Sequence, residues 1–405
     1  MTSASKRSLK ALDWLNFFLA DIRYGIGGFL PVYLISDKWD AAQIGLAMSI
    51  PGITGIIFQS PAGALTDRYK HKRIFIVIAC ALLSICCIGL GSSTRYWFVI
   101  GVQALVGIIT TIYTPALTAI TLGMVGNKEF PKRMGRNETF NHTGNVIITV
   151  ASGLIGYYVS FMGIFYMMMS VCLLSIIAVL LIREQDIDHN VAREAEVVDG
   201  HLQVTRLKVI FTDRKIVLYT ISIVLYYFAN AAMFPIVAQM LGLDNPHKAT
   251  LYTAAGITIA EGVMIPVTAL TGYLAFKGNR KYIFLTAFLV LTIRGILYTF
   301  TDNSNLLMAI QTLDGAGAGI MKVISVVMIA DLTKGTGRFN LMQGTVVTAI
   351  GIGSSLSDYL TGIVVVNSNY NTGFYFLSAI AVVGLVFTWL FVAETKDIRQ
   401  VKSDF

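Results

Sequence analysis

Gly63-Ala-Leu-Thr-Asp67-Arg68-Tyr-Lys-His-Lys-Arg-Ile-Phe75 recurs 209 residues later, in degenerate form, as Gly272-Tyr-Leu-Ala-Phe-Lys277-Gly-Asn-Arg-Lys-Tyr-Ile-Phe284. At the same offset Phe17-Phe-Leu-Ala-Asp21 answers Tyr226-Tyr-Phe-Ala-Asn230, and at 208 residues Gln103-Ala-Leu-Val-Gly107 answers Gln311-Thr-Leu-Asp-Gly315. Two halves in register mean a duplication. In a chain this apolar, a duplication builds paired membrane bundles, and a solute site is expected between them. Solute transport is therefore the first function class to weigh.

Composition agrees. The chain has 405 residues, 55% hydrophobic and 13% charged, against about 25% charged in an ordinary soluble domain. Apolar runs long enough to cross about 30 Å of hydrocarbon, roughly 20 residues each, fall near 13 to 35, 43 to 65, 74 to 92, 96 to 122, 138 to 160 and 162 to 182. A second set falls near 216 to 241, 249 to 275, 282 to 300, 304 to 330, 339 to 365 and 372 to 393. The expected fold class is thus an all-α membrane protein with twelve transmembrane helices in two pseudo-symmetric six-helix bundles. The expected domains are an N-terminal bundle over 1–183, a linker over 184–215 and a C-terminal bundle over 216–405. The linker mixes acids and bases with few aromatics, and a short amphipathic helix near 202–211 suits the membrane face.

Cytoplasmic loops retain Lys and Arg preferentially. With Met1 inside, 25 of the 31 Lys and Arg residues fall on the cytoplasmic side, while Lys38, Arg95 and Lys248 fall outside and Arg23, Arg294 and Lys322 within spans. Both termini are expected in the cytoplasm. The net charge of +8 then reflects topology and anionic lipid, so no nucleic-acid partner is expected. The basic start runs into a full-length span with no small-residue cleavage site, so no signal peptide is expected. Cys80, Cys86, Cys87 and Cys172 lie inside predicted helices without metal-ligand spacing and read as core residues. No Walker loop, HExxH or GxSxG motif occurs, which argues against ATP hydrolysis and enzymatic chemistry. No cofactor or metal is expected.

The residues Gly63-Ala-Leu-Thr-Asp67-Arg68-Tyr-Lys-His-Lys72-Arg73 resemble the signature loop between the second and third helices of the major facilitator superfamily. With twelve spans, a central linker and the second copy, the resemblance covers essentially the whole chain. It implies two six-helix domains rocking around a midplane site, with helices one, two, four, five, seven, eight, ten and eleven lining the cavity. It also implies a gating role for Gly63, Asp67, Arg68, Lys72 and Arg73, with Asp67 at a neighbouring helix N-terminus and Arg68 in an ion pair. Lys70 stands where the family usually has glycine. Positive-inside retention accounts for Lys72 and Arg73 equally well without switching. Drug and proton antiporters of the family usually carry an arginine four residues before a glycine in the fourth helix, where this chain has Gln103 before Gly107. They also have a proline motif in the fifth helix that is absent from Asn141 to Gly153, so drug efflux is demoted.

A charge at a helix centre costs about 2.5 to 3.5 kcal/mol on insertion scales and is kept mainly where it meets a cavity or a partner. The first span holds Asp21, Arg23 and Tyr24. Asp21 and Arg23 stand roughly 200° apart around a helix, so one faces the cavity and the other a neighbouring helix, and the sequence does not choose between them. Glu261 lies in the eighth span, and Asp314 and Lys322 lie in the tenth. Buried carboxylates near bases are the usual basis of proton coupling, which makes Asp21, Glu261 and Asp314 proton-carrier candidates. A permanent bridge of Glu261 or Asp314 to Lys322 or Arg294 is the alternative. Arg294 itself, in a peripheral helix, reads as a structural partner or a snorkelling base, and Asp358 reads as a cavity-mouth or an exposed helix-end acid. Glu138, His142 and Asn145 form a polar stripe on the fifth helix. Its histidine suits titration near neutral pH or a structural hydrogen bond. Tyr227 and Asn230 in the seventh span suit stacking and hydrogen bonding to a polar solute. The glycine runs near Gly315 and Gly353 read as close packing.

The expected function is secondary active transport of a small polar solute, coupled to protons or, failing that, to Na⁺. Arg23 with Lys322 favours an anionic, carboxylate-bearing substrate such as an organic acid or a siderophore, with Arg23, Tyr24, Asn145, Tyr227, Asn230 and Lys322 as binding residues. Efflux of a metabolite or drug is the alternative, and a non-transporting membrane receptor is a third. The expected setting is a monomer in the lipid bilayer of a bacterial inner membrane.

Overall fold

In a computed structural model of the chain, the residues described are 4–22, 28–69, 71–188, 213–277, 279–333 and 339–395. Among them there are helices and no strand. The first half contains α1 (Lys6–Ile22), α2 (Leu30–Ser36), α3 (Ala41–Arg68), α4 (Lys72–Ser92), α5 (Tyr96–Thr110), α6 (Tyr113–Tyr158) and α7 (Phe161–Leu181). The second contains α8 (Arg214–Asn230), α9 (Met233–Asp244), α10 (Pro246–Lys277), α11 (Arg280–Tyr298), α12 (Ser304–Leu332), α13 (Phe339–Asn367) and α14 (Tyr370–Phe391). The linker segment 189–212, including the stretch expected to form an amphipathic helix, lies outside the described residues.

Among the described residues ten stretches are long and apolar enough to cross a bilayer, with α5 joined to the start of α6 and α8 joined to α9. Of the twelve spans drawn from the sequence, the first and the fifth are not among those ten. The described part of the first is divided between α1 and α2. The fifth is the later part of α6, where Asn137, Glu138, Asn141, His142 and Asn145 lower the hydropathy. α6 is broken at Gly126, whose φ of 70° lies in the left-handed region. Only glycine adopts that region without a Cβ penalty, and the break ends the fourth span. The four cysteines are all buried, as their positions in apolar helices require.

Close contacts group the chain into two compact units. One comprises Met1–Trp39, Ile50–Gln203 and Gly242–Ala254, and the other Asp40–Ser49, Val204–Leu241 and Ala255–Phe405. Each therefore takes one short piece from the opposite half of the sequence. In the first unit a Cβ at Gly153 would lie 2.4 Å from Ala254 Cβ, and Thr250 Oγ1 donates to Gly153 O at 3.0 Å. In the second, a Cβ at Gly45 would lie 2.3 Å from the carbonyl oxygen of Asp358. Such approaches admit glycine alone.

The duplicated loops fold alike. α3 ends at Arg68 and α10 at Lys277, and the following helices begin at Lys72 and Arg280. The last carbonyls of a helix lack intrahelical partners, and a cation there also meets the negative end of the helix dipole. Lys72, 1% exposed, fills this role for α3 by donating from Nζ to Thr66 O at 3.2 Å. Arg73 does so for α7, donating to Val179 O at 3.2 Å and Leu180 O at 3.0 Å while pairing with Glu184 at 2.9 Å. The second half repeats the device. Lys281 Nζ donates to Trp389 O at 2.6 Å, and the Glu394 carboxylate accepts the backbone N–H groups of Arg280 and Lys281 at 3.0 and 3.1 Å. Each clamp ties the third helix of its half to the sixth.

Removal of the Arg73 clamp is expected to destabilise the first unit. Arg73→Ala should cost about 1.5–3 kcal/mol, the range for hydrogen bonds to charged groups, read as a lowered thermal midpoint of the purified protein. An unchanged midpoint would show that the clamp does not hold α4 to α7.

Candidate functional site

In the second unit a polar cluster is built around the buried Arg294. The guanidinium sits on α11 with its side chain 2% exposed, and its Nη1 pairs with Asp314 Oδ1 on α12, whose side chain is 22% exposed. The same Nη1 donates to Asn230 Oδ1 at the end of α8, at 2.8 Å. Tyr298, one turn on along α11, lies with its ring centroid 5.7 Å from Arg294 Cζ and its hydroxyl hydrogen-bonded to Gln311. Three helices are thus joined through one cation. An intramembrane arginine is tolerable only with such partners.

Glu261 stands at the same level. A Cβ at Gly315 would fall 2.2 Å from Ala260 O, so α10 and α12 cross at residues adjacent in sequence to Glu261 and Asp314. Glu261 is half-buried there. Lys322 is exposed on α12, eight residues and about 12 Å of helix beyond Asp314. Tyr227 packs its ring at 5.4 Å on Tyr226, and Gly353 on α13 approaches the Val224 carbonyl and the Phe228 amide. The glycines of α12 and Gly353 of α13 are therefore close-packing residues.

In the first unit, α6 and α1 meet where a Cβ at Gly144 would lie 2.1 Å from Phe17 O. The α6 stripe lies along that crossing. Asn145 is buried, His142 Nε2 stands 3.9 Å from Glu138 Oε2, and Asn137 donates to Thr121 Oγ1 at 3.0 Å. Asp21 belongs to the last turn of α1, one turn beyond Phe17. Its side chain, together with Arg23 and Tyr24, lies outside the described residues, as do the side chains of Asp67 and Arg68. Of the other residues given a gating role, Lys72 and Arg73 are the helix clamps described above, and a Cβ at Gly63 would meet nothing within 4 Å.

Asp13 was not read from the sequence, and Asp358 was read differently. Asp13 on α1, with its side chain 4% exposed, pairs with both Arg133 and Arg136 of α6 at 2.7 Å. The signal available was an acid on the otherwise basic first turns of the chain. Asp358 was read as a cavity-mouth or exposed helix-end acid. Its Oδ1 is buried with no hydrogen-bond partner among the described residues, because its helix packs against α3 at Gly45. Among the described residues no group of His, Cys, Asp and Glu is arranged to hold a metal ion.

A family model described as Major Facilitator Superfamily matches residues 13–305 and 272–404. The chain belongs to the major facilitator superfamily. It is 40% identical over 394 residues, 96% of this chain and 94% of the relative, to an uncharacterized MFS-type transporter of Mycobacterium tuberculosis, found in strains CDC 1551 and H37Rv. Solved structures share the fold at low identity. The nucleoside transporter NupG, in a mutant form, superposes with a TM-score of 0.80 at 15% identity, covering 95% of this chain and 100% of that one. A D-xylose-proton symporter gives 0.71 at 14% identity over 96% and 97%. The protein is therefore a multi-pass integral membrane transporter of major facilitator fold and not an enzyme. The first family match runs from α1 through the linker into α12, and the second lies wholly within the second half.

Proposed function

We propose that this major facilitator protein is a proton-coupled secondary transporter of a small polar solute, with Asp314 as the principal proton carrier. The observation that carries this reading is the Asn230–Arg294–Asp314 cluster. Its arginine is sealed inside the bundle while its carboxylate keeps 22% of its side-chain surface, enough to exchange a proton. Deprotonated, Asp314 holds Arg294. Protonated, it releases one of the two acceptors of the guanidinium, leaving Asn230, and a cluster with two such states joining three helices is a means of linking a proton to a conformational change.

A carboxylate-bearing anion, an organic acid or a siderophore, is the substrate class favoured by Lys322 on α12 and Arg23 beyond α1, because fixed cations in a low-dielectric cavity select anions. Glu261, Asp21 and the Glu138–His142 pair are the secondary proton sites. Tyr24, Asn145, Tyr227 and Asn230 supply polar and aromatic contacts to the solute. Asp67 and Arg68, with Gly63, act in gating. The proposed setting is a monomer in a bacterial inner membrane with both termini in the cytoplasm, which the distribution of Lys and Arg supports.

The test begins with thermal stabilisation of the purified protein by a solute library. A ligand at 100 times its dissociation constant stabilises by about 2.7 kcal/mol. The best hits are then added to proteoliposomes holding a pH-sensitive dye. Proton coupling predicts a solute-dependent change of internal pH, unaltered when Na⁺ is replaced by K⁺. Solute flux without proton movement would overturn the coupling, and hits confined to cationic or neutral solutes would overturn the anionic class.

A further inference from the structure

We propose that the groove between α1 and α7 binds an anionic phospholipid, with the headgroup phosphate among Lys6, Arg7 and Lys10 and an acyl chain running past Trp14 and Phe18. The groove belongs wholly to the first unit and encloses about 510 Å³. Its lining is divided by chemistry along the axis of α1. The first turns supply three bases and no acid, and the wall beyond them is apolar on both helices.

The division follows from helical spacing. Arg7, Ala11, Trp14 and Phe18 recur at intervals of three and four residues, and Leu174, Ile177, Ala178 and Leu181 do the same on α7, so each set forms one stripe. Ala11 and Ala178 are the buried floor, and the long side chains rise on either side. From Lys6 to Phe18 the helix rises about 18 Å, close to one leaflet of a roughly 30 Å hydrocarbon core with its headgroup zone. Trp14, 50% exposed, stands between bases and hydrocarbon, the level at which indole rings collect in membranes.

The three bases are exposed, and the acids of the same region are engaged by other groups. Asp13, about 120° around α1 from the centre of the groove stripe, is held by Arg133 and Arg136. Glu184 is taken by Arg73 and Asp186 by the Ser5 hydroxyl. None of these carboxylates lines the groove. A cationic rim over an apolar slot, open to the bilayer, is complementary to a phosphate carrying acyl chains. A zwitterionic lipid places a second positive charge against the same bases.

Trp14 provides the probe. In a variant carrying Trp39→Phe, Trp97→Phe and Trp389→Phe, emission comes from Trp14 alone. Reconstitution in phosphatidylcholine vesicles with brominated phosphatidylglycerol should quench it more strongly than brominated phosphatidylcholine at equal mole fraction. The preference expected is roughly fivefold per base, the fold-change given by about 1 kcal/mol for each Lys or Arg near a membrane surface. Lys6→Gln, Arg7→Gln and Lys10→Gln together should abolish it, and inorganic phosphate should not relieve the quenching. Equal quenching by both lipids, or a preference that survives the triple substitution, overturns the proposal. Relief by inorganic phosphate also overturns it, in favour of a free-anion site. Native mass spectrometry of the protein with all four tryptophans gives an independent readout. Phosphatidylglycerol should be retained by the parent and lost from the triple variant, and equal retention by both counts against the site.

Discussion

Arg294→Ala should be the most damaging single change in the second unit, lowering its stability by about 3–5 kcal/mol, the range for removing one partner of a buried ion pair. The substitution strands Asp314 without its cation and Asn230 without its donor, and it leaves a void beneath the Tyr298 ring. Arg294→Lys should recover only part of the loss, because an ammonium is more strongly hydrated than a guanidinium and so costs more to bury, and it does not stack as a plane on the Tyr298 ring. The decisive comparison is Arg294→Met combined with Asp314→Leu. Replacing a buried pair by apolar groups of similar volume is often neutral, so the double variant should melt near the parent. A thermal midpoint as low as that of Arg294→Ala would mean that the cluster holds the helices by its geometry rather than by compensating a buried charge.

The framework of this protein was legible because a membrane imposes long apolar runs and a duplication repeats them. The Gly63 and Gly272 copies mark the junctions of α3 with α4 and of α10 with α11, and Gly315 and Gly319 of α12 pack on α10 as their small size requires. The fifth span shows where hydropathy and placement part. It was drawn over 138 to 160, although its polar stripe keeps it below the apolarity of the ten stretches described above. The candidate site was legible as a set of charged residues but not as a set of pairs. Helical periodicity says which face Asp314 occupies on its own helix and nothing about whether Arg294 or Lys322 lies opposite, since that depends on helix crossing and tilt. Arg294, read as a structural partner or a snorkelling base and as one possible bridge for Asp314, is the hub of the cluster. Asp13 escaped notice for the same reason, its partners being 120 and 123 residues away. Arg73 combines two roles that the sequence could not separate. A base in a loop retains topology, and the same base caps α7.

Asp314→Asn should abolish uphill accumulation of the solute driven by a proton gradient while leaving exchange of internal for external solute. The amide is isosteric with the protonated carboxyl and fixes the cluster in its released state, while Asn230 still accepts from Arg294 Nη1, so the bundle stays folded. What the amide lacks is a proton to take up and release. Exchange requires binding and reorientation of the loaded carrier but no net proton movement, and it survives. Accumulation requires the proton to be carried in one direction and lost on the other side, and it fails. Asp314→Ala separates coupling from structure, because it removes the acceptor and leaves Arg294 uncompensated. Its exchange should fall together with its thermal midpoint. Measured side by side in proteoliposomes, the two variants distinguish a proton carrier from a structural acid. If Asp314→Asn accumulates solute as well as the parent, Asp314 is only the counter-ion of Arg294. The coupling proton then belongs to another of the carboxylates, with Glu261 first because it sits beside the same α10–α12 crossing.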